Sequence, residues 1–398
     1  MTSKHVPARH TDWVGGPEIA AICLAYAAVQ FALSLRFLTS ASLSLASVNA
    51  FKPLLAGFLV LATGLYIAAA LHAPRPIARL LGSPVLLILL LAFLAIAEWY
   101  LYPLLDRVSL KLAGEGSDAD DALIDAAQRL LAGQPAYAAP TYRGNSISPG
   151  IGWIVLNLPW ASASTFFLLT PFYLGVLGVA VRVAAHSWVP ANLTVIGHVM
   201  CLGILEIAPT GDLAAFGAAL AATFVAAYIA RDSVWSLAAV ALVMGTVSTG
   251  RIPFALFPLL AAAVLWRVTD GRSLILGLVG FGTAVAWHLT MAGIDSVPYQ
   301  PLHLFGKGGF LLPGAWLYLA AFASAAAVLI ALLRQKPGLA PAALRCGICL
   351  GVPLAFLALA HLASIGFHTG VWEGANYLAP SLSFFTVALA MLAMRARN

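Results

Sequence analysis

Apolar residues run almost unbroken along this chain, in stretches of about twenty separated by short charged or Pro/Gly breaks. A bilayer core needs about 20 apolar residues per helix. The pattern therefore predicts an all-α, polytopic membrane protein with about 10–13 transmembrane helices. Twelve candidate spans start near Pro17, Lys52, Ser83, Ala161, Ala191, Leu213, Ser233, Ile252, Ser273, Pro313, Arg345 and Tyr377. Those near Ser233 and Ile252 are short and parted only by Ser248-Thr249-Gly250-Arg251, so they read either as two short helices or as a broken re-entrant pair. Residues 1–16 read as a polar cytoplasmic tail with no cleavable signal, and 17–398 as one transmembrane domain.

One polar stretch, from about Asp106 to Pro149, breaks the pattern and holds ten of the 36 charged residues. With the apolar segment after it, it forms a candidate active-site loop over 105–160. Ser117 or Asp118 suits a helix N-cap, acids crowd the first turn, and Gly133 suits a stop. Leu123, Ile124, Ala127, Leu130 and Leu131 share one face, which predicts an amphipathic helix of about four turns at the membrane interface. On that wheel Asp120 falls in the apolar stripe, while Asp118, Asp121 and Asp125 point away with Arg129. A shielded carboxylate facing a cavity can take a proton from a hydroxyl nucleophile, so Asp120, Asp118 and Asp121 are the candidate bases. Asp125 reads as a solvated helix-terminal acid.

Composition closes off the soluble classes. The 398 residues are 62% hydrophobic and 9% charged, with mean hydropathy +0.94, so lipid must cover much of the surface. With the N-terminus in the cytoplasm, thirteen of the 21 basic residues fall inside, whereas only four of the 15 acidic ones do. The net charge of +6 is thus an orientation signal, and no nucleic-acid partner is expected. Cys346-Gly347-Ile348-Cys349 lies in an apolar run and reads as helix packing.

Four polar segments then share the outer face: the 106–149 loop, the turn Ala208–Asp212, the loop 295–313 and the loop 367–376. Arg251 joins them. Its planar fork suits a phosphate, and the competing reading pairs it with Asp212, Glu206 or Glu98. Lys307 and His303 are further candidate phosphate contacts. Tyr142, Arg143, Asn145, Trp372, Glu373 and Asn376 are candidate sugar contacts. Trp153 and Trp160 suit an interfacial position, and His198 and His288 read as packing residues within spans. Carboxylates suit Mg²⁺ or Mn²⁺, but spacing alone leaves any metal unknown.

The order Asp118-x-Asp120-Asp121-Ala122-Leu123, then Gly133-x-Pro135-x-Tyr137, then Thr141-Tyr142-x-Gly144-Asn145-x-Ile147-Ser148-Pro149 resembles polytopic GT-C glycosyltransferases, particularly the bacterial mannosyltransferase-like branch. The resemblance covers about 40 residues. It implies a bacterial inner-membrane enzyme with interfacial helices facing the periplasm. It also implies a polyprenyl-phosphate sugar donor, a lipid or glycan acceptor, and a loop acid acting as base on the acceptor hydroxyl. The alternatives are a proton-coupled transporter or lipid flippase, which would place charges near the bilayer midplane, and a non-catalytic scaffold.

Overall fold

The computed structural model describes residues 15–39, 46–107, 117–294, 299–304, 306, 314–333, 337–367 and 374–394. Among them the chain is helical with no strand. Eight helices are long and apolar enough to cross a membrane: Gly16–Phe37, Pro53–His72, Pro84–Leu105, Phe166–Ala185, Leu213–Asp232, Ala315–Leu333, Leu339–Ser364 and Ala375–Leu392. The polytopic all-α expectation therefore holds.

The other four expected runs are short helices. The stretch after Ser187 is broken into Trp188–Val199 and Leu202–Ile207. These two run parallel to the first helix, Gly16–Thr39, whose Tyr26 hydroxyl donates to the Gly197 carbonyl at 3.1 Å. Near the far end of the pair, buried Arg36 forms an ion pair with buried Glu206.

The pair that sequence left open is resolved by its ends. Val234–Ser248 rises to the Arg251 level, and Ile252–Leu256 with Phe257–Leu265 returns. Arg272, just past the return, lies 3.5 Å from the Arg231 carbonyl that precedes the first of them. Leu213–Asp232, a span-length helix, joins Arg231 to the Asp212 that pairs with Arg251, so the two short helices run the length of that helix. Their tight packing relies on Gly280, where a Cβ would come 2.8 Å from Pro258 Cβ and 3.1 Å from the Ala241 carbonyl.

Some boundaries shift. The expected span near Arg345 begins earlier, as Leu339–Ile365, and Arg345 is buried two turns inside it. The span expected from Ala161 starts at Phe166 because the chain before it forms a short 3-10 helix, Leu158–Trp160, and then turns. Cys346 and Cys349 are buried, free thiols on one helix, as packing residues should be.

Candidate active site

The aspartate segment folds as a helix, Ala119–Leu131, packed across one end of the bundle. Its stop is Gly133 at φ +68°, a conformation that glycine adopts without strain. Leu123, Ala126 and Ala127 are fully buried, as the periodicity requires. Leu131, expected on the same face, is instead 68% exposed in the last turn. Arg129 ties the following loop to the helix, donating to the carbonyls of Ala136 at 3.3 Å and Ala139 at 2.6 Å.

Asp118 occupies the N-cap position but does not cap. Ser117 does that work, its hydroxyl accepting from the Ala119 amide at 3.2 Å. The Asp118 carboxylate is thus free for tertiary contacts. Gly144 at φ +80° closes a turn in which the Thr141 amide donates to the Asn145 carbonyl at 2.9 Å. That turn aims two side chains at one oxygen: Thr141 Oγ1 donates to Asp118 Oδ2 at 2.6 Å, and Asn145 Nδ2 donates to it at 2.9 Å. Oδ1 receives no hydrogen bond among the described residues.

Asp118, Thr141, Arg143, Asn145, Ser148, Arg251, His303, Asn376 and Tyr377 line one polar cavity of about 600 Å³. Residues more than 250 positions apart in sequence, from Asp118 to Asn376, meet there. No family model, curated protein or solved structure matches this chain. The site is therefore read from its own geometry.

Asp120 lies in the apolar stripe, where the helical wheel puts it. It is buried, as predicted, but it does not line the cavity. Its Oδ2 accepts from the Tyr102 hydroxyl at 3.1 Å, on the core side of the helix. The reason is that an apolar stripe faces protein, and protein here means the end of Pro84–Leu105. Asp121 also lies off the cavity. The carboxylates of Asp106, Asp120 and Asp121 gather within 4.8 Å of one another, the described residues placed to hold a divalent cation. Each also interacts with other protein groups.

Arg251 enters the cavity and is also paired, so both readings of it meet in one place. Its partner is Asp212, at 2.7 Å and 3.1 Å, and neither Glu98 nor Glu206 touches it. Asp212 is fully buried and accepts from the Trp153 indole at 2.8 Å. Trp153 is accordingly a core residue and not the interfacial one its composition suggested; its exposure is 0%. A tryptophan beside a glycine-rich turn gives no local sign of such a partner.

The 299–304 segment docks through Gln300. Its Oε1 accepts from the Ile147 amide at 2.7 Å, and its Nε2 donates to the Tyr137 carbonyl at 2.8 Å. His303 Nδ1 donates to the Gln300 carbonyl at 2.8 Å, which turns Nε2 toward Ser148 Oγ, 3.5 Å away, in the cavity wall. Tyr299 stacks edge-on against Tyr137, and burial pushes its hydroxyl pKa up to about 12, against a lowering hydrogen bond from Tyr137. Sequence reasoning offered Asp212 as a partner for Arg251, as found, but did not single out Gln300 or Thr141 as site residues, because each acts through a partner distant along the chain.

Tyr142 is half exposed and does not line the cavity. Asn145, Arg143 and Asn376 do, and the Asn376 carbonyl oxygen Oδ1 is buried there without a hydrogen-bond partner among the described residues. Lys307, Trp372 and Glu373 lie outside the described residues. His198 packs as expected, bonded to the Thr194 carbonyl and to Ser383 Oγ. His288 is bonded at Nδ1 to the Tyr299 hydroxyl at 2.5 Å.

Proposed function

We propose that the chain is a GT-C-type membrane glycosyltransferase that moves a sugar from a polyprenyl-phosphate donor to an acceptor hydroxyl at the extracytoplasmic face. The observation that carries the reading is that Asp118 and Arg251 line the same cavity at one end of an apolar bundle. A carboxylate with an unengaged oxygen and a guanidinium are the two groups this reaction needs. The resemblance of residues 118–149 to that family adds support, and the excess of basic residues assigned to the opposite end supports an extracytoplasmic cavity in a bacterial inner membrane.

In the reaction, Asp118 Oδ1 takes the acceptor's hydroxyl proton as that oxygen bonds to the anomeric carbon. The carbon–oxygen bond to phosphate breaks, and the prenyl phosphate leaves with the electron pair. Arg251, with Arg143 and His303 in the same cavity, stabilises the charge that develops there. Thr141 and Asn145 hold Asp118 in place through Oδ2 and leave Oδ1 to react. The test is the purified protein incubated with a panel of polyprenyl-phosphate sugars and lipid acceptors, with products read by mass. Absence of sugar transfer across the panel would reject the reading.

One observation favours proton-coupled transport instead. Glu98 is fully buried within Pro84–Leu105, and neither carboxyl oxygen has a hydrogen-bond partner among the described residues. Ionisable groups inside spans are functional suspects. A substrate-dependent proton flux in liposomes without sugar donor, lost in Glu98→Gln, would establish that reading in place of the first.

A further inference from the structure

The guanidinium of Arg251 has five N–H donors in a fixed plane. Nη1 donates to Asp212 Oδ2 at 3.1 Å and to the Gly250 carbonyl at 2.6 Å, which uses both of its hydrogens. Nη2 donates once, to Asp212 Oδ1 at 2.7 Å. The Nε hydrogen and the second Nη2 hydrogen have no partner among the described residues. Those two lie parallel along one edge of the plane, the spacing that grips two oxygens of a phosphate. Arg251 is 13% exposed, in the cavity wall, whereas Asp212 is 0% exposed.

Asp212 is itself locked. Trp153 donates its indole N–H to Oδ2, and the Trp153 amide is anchored on Thr249 Oγ1 at 2.7 Å, two residues before Arg251. Charge alone gives Asp212 the wrong sign for an anion site, because it opposes the attraction of Arg251 for a phosphate. Its contribution is geometric.

We infer that Asp212 is a positioning residue, which holds Arg251 so that its Nε/Nη2 edge is presented to one phosphate group in the cavity. The inference rests on the donor-phosphate reading above and adds the residue that orients it. Geranyl phosphate and inorganic phosphate are the probes, titrated calorimetrically against the full chain in nanodiscs.

Asp212→Asn is expected to weaken geranyl phosphate binding about tenfold, the loss of a charge-assisted hydrogen-bond arrangement. If Asp212 merely neutralised a buried arginine, the same variant would bind tighter, since it gains a net positive charge. Trp153→Phe, which keeps every charge and removes only the indole donor, should weaken binding in the same direction by a smaller factor. It decides the matter alone if Asp212→Asn does not fold. The same ranking with inorganic phosphate places the effect on the phosphate group. Weakening confined to geranyl phosphate would assign Asp212 to the lipid wall and overturn the inference. Unchanged or tighter binding in the variants overturns it while leaving the donor-phosphate reading intact. Failure of the unsubstituted protein to bind either probe overturns both.

Discussion

Gly150 rests directly on Thr249. Its amide donates to the Thr249 carbonyl at 2.9 Å, and a Cβ at this position would overlap that oxygen and come 2.8 Å from Cε1 of His288. This contact joins the loop that carries Thr141 and Asn145 to the helix end that carries Arg251. Gly150→Ala should therefore push the two walls of the cavity apart. Overpacking against backbone costs about 1–3 kcal/mol. A thermal melt in detergent should show that loss, and an unchanged melting temperature would show that the contact is looser than described.

Asp118 and Asp120 are two residues apart yet face different surroundings. Asp118→Asn should cut sugar transfer by about 10²–10⁴-fold, the range for a lost general base, with the melting temperature preserved. Asp120→Asn still accepts from Tyr102 and should keep transfer within about tenfold of the parent. The reverse ranking in a paired activity assay would return the base role to Asp120.

Gln300 bridges the Ile147 amide and the Tyr137 carbonyl. Gln300→Ala leaves a part-buried amide without its acceptor, a loss of about 1–3 kcal/mol. Hydrogen exchange should accelerate at Ile147 and its neighbours while the spans stay protected. Exchange unchanged at Ile147 would refute the bridge.

Arg36 on the first helix and Glu206 on Leu202–Ile207 are buried together. Removing one partner strands a charge, so Glu206→Gln should destabilise the fold by on the order of 3–5 kcal/mol. The double variant Arg36→Met with Glu206→Leu should recover most of it. Denaturation in mixed micelles measures both, and equal loss in the single and double variants would contradict the pairing.

Tyr299 titrates late because it is buried against Tyr137 and His288. Its pKa in the folded protein, about 12, lies above the value of 10.0 for a free tyrosine. The folded state thus binds the proton more tightly. The resulting stability is complete below pH 10, falls as pH rises, and is lost through about pH 12. Comparing the alkaline melting curves of the parent and Tyr299→Phe isolates this contribution, and identical slopes between these limits would disprove it.

How much of this was legible beforehand differs by kind of residue. The all-helical bundle, the amphipathic helix Ala119–Leu131 and the burial of Asp120 followed from periodicity, because a span or an amphipathic face needs only its own residues to be recognised. The candidate phosphate arginine was visible too, since an arginine between apolar spans stands out whatever surrounds it. Which carboxylate faces the cavity was not. The wheel ranks residues by the side they occupy, while Pro84–Leu105 covers Asp120 and the Thr141–Asn145 turn points Asp118 outward. Trp153 and Gln300 acquired their roles only when helices distant in sequence packed side by side, and the same packing chose Asp212 among the carboxylates that sequence offered to Arg251. A hydrogen bond depends on a partner's position to within a few tenths of an ångström, and only the assembled bundle sets that.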